Sequence, residues 1–282
     1  MRPVLCLLCC EACGGDWEQA LPAAAAVELV HNFSLIHDDI EDGDSTRRGR
    51  PTVWSVWGVP QALNAGDTLF TLAHLALFRL TDRALPPATV LSALQILLTA
   101  CLRLTEGQFL DLRFEGQDEV SVEDYLFMVA RKTAELLSAA CELGALIAGA
   151  PADVLGRLRA FGYHAGIAFQ IQDDILGIWG DPAVTGKPVG SDLRRGKKTF
   201  PVLYALGREP HLRHLLPDAA CSSDHLQAAM LLLNRSGARE AAQARVLEEA
   251  DRALQALREA GLSGPAADAL ADLVRQLAFR ER

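Results

Sequence analysis

A chain of 282 residues has room for one large domain or two ordinary ones, and half of its residues are hydrophobic, enough for a sizeable core. Its formal charge of -9 excludes a general nucleic-acid binder, which needs a basic surface, while local clusters of cations remain able to hold a small anion. Alanine and leucine fill long periodic segments with no sustained alternation, the composition of a helical protein.

Residues 3–13 read as a helix, broken at Gly14-Gly15. Cys6, Cys9, Cys10 and Cys13 are spaced like paired metal ligands, but i, i+3, i+4, i+7 is also one helical face. No second ligand pair follows at zinc-site spacing, so these thiols read as core. Seven cysteines without a disulfide framework fit a reducing compartment. The apolar run at the N-terminus is about seven residues long and meets Glu11 without a cleavage site, unlike a signal sequence. No uninterrupted run approaches the roughly 18 apolar residues of a membrane span. A cytoplasmic protein without stable membrane insertion is expected.

Residues 18–42 read as one long helix, with Ala23, Ala24, Ala25 and Ala26 giving a slim flank near its start. His31, Ser34, Asp38 and Asp42 share one stripe of it, and a basic loop over 43–51 follows. Further helices are expected over 60–81, 87–113, 121–149, 152–180 and 199–207, and through the C-terminal third. Pro86-Pro87, Gly116, Gly149-Ala150-Pro151 and Asp181-Pro182 supply the breaks. From about residue 217 onward no cluster carries chemistry, and that part reads as scaffold. With no linker and no repeat, a single all-α domain over 1–282 is the economical reading.

Three constellations stand out. Asp38-Asp39-Ile40-Glu41-Asp42 ends an apolar helix, and Asp38 and Asp42 lie one turn apart with Cβ atoms about 5–6 Å from each other. Magnesium takes one or two carboxylates and completes its shell from substrate phosphates, which suits such a pair. Acids at a helix C-terminus oppose the macrodipole, so a compensating charge is required. The second constellation, Gln170 with Asp173-Asp174, repeats the pattern late in another apolar helix, where unpaired buried carboxylates are costly. If the two helices face each other, their acids converge on one metal cluster. The third is cationic: Arg47-Arg48, Arg131-Lys132-Thr133, Lys187 and Arg194-Arg195-Gly196-Lys197-Lys198. Arginine holds phosphate in a fork and lysine as a point charge. Gly107-Gln108 with Asp111 adds a polar patch to an apolar helix.

Taken together these pieces resemble the trans-isoprenyl diphosphate synthases, the polyprenyl synthetase family, over nearly the whole chain. The matching residues are Arg2-Pro3, His31, Asp38 to Asp42, Arg47-Arg48-Gly49-Arg50-Pro51, Gly107-Gln108 to Asp111, Lys132-Thr133, Phe169-Gln170 to Asp174, Lys187, and Lys197-Lys198-Thr199-Phe200-Pro201. The resemblance implies an all-helical bundle around a deep apolar pocket, with two Asp-rich helices facing each other, in a homodimer. It implies a transferase that joins isopentenyl diphosphate to an allylic diphosphate by ionisation, condensation and proton loss, with about three magnesium ions. Asp38 and Asp42 would hold magnesium with Asp39 alongside, and Asp173 with Asp174 would hold the third ion. Arg47, Lys132, Thr133, Gln170, Lys187 and Lys197 would contact the allylic diphosphate, and Arg2, His31 and Arg48 isopentenyl diphosphate.

Two departures from the family pattern are visible. Gly177 stands where many relatives carry a third aspartate, with Asp181 as a candidate substitute on the Asp174 face. The family's further N-terminal helix and Gly-Lys-Arg segment before Arg2-Pro3 are missing, which implies weaker binding of isopentenyl diphosphate. Product length in the family follows bulk at the two positions occupied here by Phe33 and Ser34. One large and one small residue resemble the geranylgeranyl type, with farnesyl diphosphate as the alternative. A terpene cyclase would share the metal cage but not His31, Arg48 and Arg2. A non-catalytic synthase subunit would be expected to lose the aspartates intact here.

Overall fold

In the computed structural model, residues 1–117, 119–182, 188–216 and 222–278 are described. The expected helices form within a few residues of their predicted ends. They are α1 (Arg2–Ala12), α2 (Leu21–Glu41), α3 (Val53–Trp57), α4 (Val59–Phe78), α5 (Pro87–Glu115), α6 (Val122–Val129), α7 (Glu135–Ile147), α8 (Ala152–Trp179), α9 (Ser191–Arg194), α10 (Phe200–Leu206), α11 (Leu212–Leu215), α12 (Ser223–Arg235), α13 (Ala238–Glu259) and α14 (Pro265–Ala278). The fold is all-α.

Two details depart from the expected pattern. The basic loop after α2 is a hairpin, with strands Thr46–Arg47 and Arg50–Pro51 paired antiparallel. Arg48 and Gly49 form its tip with φ of 52° and 73°, both left-handed, as a two-residue turn of the primed type requires. Residues Ala130–Ala134 form a π-helical turn between α6 and α7, a local widening of the helix that re-aims side chains and recurs at functional sites.

The chain divides into two compact units. One comprises Met1–Leu104, Glu135–Tyr163 and Leu254–Asp272. Here α2 packs chiefly on α4 and α1 on α7. Ala23, Ala26, Val27 and Val30 of α2 are fully buried with Leu77 of α4, Leu97 of α5 and Leu143 of α7. Each buried branched side chain contributes about 1.5–3 kcal/mol of transfer free energy. The N-terminal thiols lie in this core: Cys6, Cys9 and Cys10 are buried on α1. Burial pushes the Cys10 thiol up to about 11 and that of Cys101 to about 12, so both stay protonated and unreactive.

The other unit comprises Thr105–Ala134, His164–Ala253 and Leu273–Arg282. Its apolar core gathers Ile178, Leu193, Val202, Leu212, Ala229 and Leu233. Glu249, almost fully buried on α13, is compensated by Arg245 at 2.7 Å, Arg252 at 3.2 Å and His164 Nδ1 at 2.7 Å. A buried carboxylate with three such neighbours keeps its charge at tolerable cost.

Helix α5 modifies one expectation. Its best 18-residue window has a mean hydropathy of 1.6, long and apolar enough to cross a membrane by length and composition alone. Ser92, Gln95 and Thr99 interrupt every continuous apolar run, which is why counting uninterrupted residues missed it. One third of the window is buried, and Leu91, Leu98 and Leu102 are exposed.

Candidate active site

In the first unit, α2 ends at its C-cap Asp42, whose backbone N–H returns to the Asp38 carbonyl. Asp39 is buried, Asp38 and Asp42 are half-buried and Glu41 is exposed. The compensating charge comes from the hairpin. Arg47 donates from Nε to Asp39 Oδ1 at 2.6 Å and from Nη2 to Asp38 Oδ2 at 2.8 Å. Arg47, expected to face the allylic diphosphate, thus also holds two of the acids. Burial pushes the Asp39 carboxyl above its usual range, with Arg47 countering.

Arg2, His31 and Arg48 come together with Arg47 in one basic cluster. His31 is half-buried, and burial together with the charges of Arg2, Arg48 and Arg47 depresses its pKa to about 3, so its ring stays neutral. Burial likewise lowers Arg2 to about 10, with Glu28 opposing. The Arg2 Nε is buried without a hydrogen-bond partner among the described residues. These residues therefore form a compact cationic group with an unused donor, as an anion site requires.

The candidate chain-length residues sit on the same helix. Phe33 is 8% exposed and packs edge-on against Phe70 of α4, ring centroids 5.0 Å apart. Ser34 donates to the His31 carbonyl at 2.8 Å, a bond within its own helix.

In the second unit the π-helical turn carries Lys132 and Thr133. Lys132 Nζ lies 2.5 Å from Asp111 Oδ2 on α5. A Cβ on Gly107, one turn before Asp111, would stand 2.2 Å from the Lys132 backbone nitrogen; only glycine allows this approach. Thr133 Oγ1 donates to Gln170 Oε1 at 2.9 Å, and Gln170 Nε2 donates to Asp174 Oδ1 at 3.2 Å. Lys132, Thr133, Gln170, Asp174, Lys197 and Thr199 line one cavity of about 80 Å³. Lys187 lies outside the described residues.

The acidic pair of α8 divides its labour. Asp173 is exposed, whereas Asp174 is 5% exposed and hydrogen-bonded on several sides. Burial pushes the Asp174 carboxyl up to about 7, against the lowering effect of hydrogen bonds from Tyr125, Phe200 N–H and Gln170. At Gly177 an added Cβ would stand 2.0 Å from Asp192 Oδ2, so an aspartate there would have to displace the Asp192 side chain. The carboxylate beside Gly177 is thus Asp192, on α9, while Asp181 is exposed past the end of α8. Sequence reasoning missed Asp192 and Tyr125 because each approaches α8 from a distant segment.

No group of three or more His, Cys, Asp or Glu among the described residues is placed to enclose an ion. Asp38 and Asp42 offer hard oxygen donors one turn apart, and Asp173 an exposed one. Such partial donor sets fit magnesium, which takes its remaining ligands from phosphate and water.

A model of the polyprenyl synthetase family matches residues 1–232. A geranylgeranyl diphosphate synthase of Mycobacterium tuberculosis is 46% identical over 278 residues, covering 97% of this chain and 78% of that protein. The solved geranylgeranyl pyrophosphate synthetase from Pyrococcus horikoshii aligns with a TM-score of 0.93 at 36% identity, over 99% of this chain and 85% of that one. A geranylgeranyl pyrophosphate synthase from Corynebacterium glutamicum, solved with isoprenyl diphosphate and magnesium, gives 0.89 at 28% identity, over 99% and 86%. An all-helical frame, acids and cations in the family's order, and a match over most of the chain lead to one assignment: the chain belongs to the polyprenyl synthetase family.

Proposed function

We propose that this chain is a trans-prenyltransferase that condenses isopentenyl diphosphate with an allylic diphosphate and makes geranylgeranyl diphosphate. The observation that carries the reading is the second unit's cavity, where Lys132, Thr133, Gln170 and Lys197 meet at one place from separate stretches of sequence. Two lysines brought to one cavity suit a diphosphate that must be held while its C–O bond breaks. The 46% identity to a geranylgeranyl diphosphate synthase favours the twenty-carbon product over the fifteen-carbon one.

In this reading Asp38 and Asp42 hold magnesium in the first unit, and Asp173 holds a further ion in the second. The metal, about three ions when bound, offsets the negative charge growing on the departing diphosphate. Arg47 keeps Asp38 and Asp39 in place and, with Lys132, Thr133, Gln170, Lys187 and Lys197, serves the allylic diphosphate. Arg2, the neutral His31 and Arg48 take isopentenyl diphosphate. Phe33 and Ser34 limit the product chain. The 1–282 chain is read as a single synthase domain working in the cytoplasm. It is also read as a homodimer. Leu91, Leu98 and Leu102, spaced by seven and four on α5, form the kind of stripe that a partner helix covers.

The test is turnover by the purified protein with Mg²⁺ and an allylic diphosphate, with and without isopentenyl diphosphate. The proposal expects consumption of both substrates and a longer diphosphate. A hydrocarbon from the allylic substrate alone would mean a cyclase, and no turnover in any combination would mean a non-catalytic subunit.

A further inference from the structure

Asp174 takes hydrogen bonds from three elements of the second unit. Tyr125 of α6, itself 2% exposed, donates its hydroxyl at 2.5 Å. The backbone N–H of Phe200, first residue of α10, donates at 3.0 Å. Gln170, one turn earlier on α8, donates at 3.2 Å. Helix α10 needs this help. Its N-cap Thr199 makes no side-chain cap, so the carboxylate that satisfies the first amide comes from another helix. A carboxylate near a helix N-terminus is also favoured by the macrodipole. The hydroxyl that Thr199 does not spend on capping is buried, and no partner for it lies among the described residues. Thr199 is also part of the cavity lining.

We infer that Asp174 is a positioning residue rather than a metal ligand, and that with Tyr125 it pins the start of α10 so that Lys197 and the Thr199 hydroxyl stay on the cavity wall. The inference rests on the reading above that this cavity handles the allylic diphosphate. The two aspartates then split the work. The exposed Asp173 is left for metal, while the buried Asp174 turns its oxygens toward Tyr125, Gln170 and Phe200. Deleting the Tyr125 hydroxyl, or the Asp174 carboxylate, frees the backbone that carries both diphosphate contacts.

Four variants separate an anchor from a ligand: Tyr125→Phe, Asp174→Asn, Asp174→Ala and Asp173→Asn. Two readouts are used, amide hydrogen exchange across residues 197–203 and the Mg²⁺ dependence of turnover. Tyr125→Phe and Asp174→Ala are expected to speed exchange at Phe200 by about tenfold. They should raise the KM for the allylic diphosphate several-fold, with half-saturating Mg²⁺ unchanged. Asp174→Asn keeps an oxygen for the Phe200 N–H and should restore most of the protection and the KM. Asp173→Asn should shift the Mg²⁺ dependence and leave exchange alone. The inference is overturned if Phe200 exchange is unchanged in both Tyr125→Phe and Asp174→Ala, or if Asp174→Asn shifts the Mg²⁺ dependence as Asp173→Asn does. Exchange is measured without substrate, so it tests the anchoring of α10 even in a protein that turns nothing over.

Discussion

Arg47 carries two carboxylates at once, and the cost of losing it falls mainly on Asp39, which is 5% exposed. Arg47→Met strands that carboxylate in the interior without its counter-charge, and we expect a loss of about 2 kcal/mol at neutral pH by urea denaturation. The sign of the pH dependence follows from the Asp39 carboxyl lying above its usual range because of burial. Ionised Asp39 is the penalised form in the variant, so protonating it relieves the penalty. The gap between variant and wild type should therefore narrow as pH falls, and a gap that widens toward acid would contradict the pairing. At this scale the residue types were legible in the sequence and their pairings were not. Four acids in five positions called for a counter-charge, and Arg47 was in view. Its reach back to Asp38 and Asp39 depends on a hairpin whose Arg48-Gly49 tip is not one of the strong turn dipeptides. The burial of Asp174 depends on Tyr125, 49 positions earlier in the chain.

Among the elements, α2, α5 and α8 were readable because apolar periodicity persists over many turns and proline or glycine marks their limits. The π-helical turn was not, since 121–149 reads as one uninterrupted helical pattern and nothing in it marks one extra residue per turn. What accompanies that turn is tertiary: the backbone of α5 approaches the backbone of Arg131 and Lys132 closely at Gly107. Gly107→Ala would place a methyl group 2.2 Å from the Lys132 amide nitrogen, and backbone yields less readily than a side-chain tip. We expect a loss of about 1–3 kcal/mol in thermal or chemical unfolding, with an increased KM for the allylic diphosphate. An alanine variant with wild-type stability and kinetics would show that the approach is not what positions Lys132. The cysteine face of α1 is the converse case. A spacing that suggested metal ligands is buried helix at Cys6, Cys9 and Cys10, as periodicity alone predicted, while Cys13 is half-buried at the C-cap.

At the scale of the whole molecule, all-helical architecture and family membership were carried by composition and motif order, and the comparisons bear both out. Interfaces are less legible, because a helix face waiting for a partner and one resting on lipid have the same composition. Leu91, Leu98 and Leu102 on α5 are 66%, 45% and 60% exposed. If a second copy covers them, Leu98→Glu should shift the sedimenting species from twice the 30.4 kDa chain mass toward a single chain. Wild-type protein that sediments as a single chain and floats with lipid vesicles would favour the membrane instead. The central claim is chain elongation to twenty carbons, and it is tested most directly by the mass of the product. Purified protein supplied with Mg²⁺, farnesyl diphosphate and isopentenyl diphosphate should yield geranylgeranyl diphosphate and stop there. Farnesyl diphosphate recovered unextended, while shorter primers are still elongated to it, would contradict the assignment and make this a fifteen-carbon synthase.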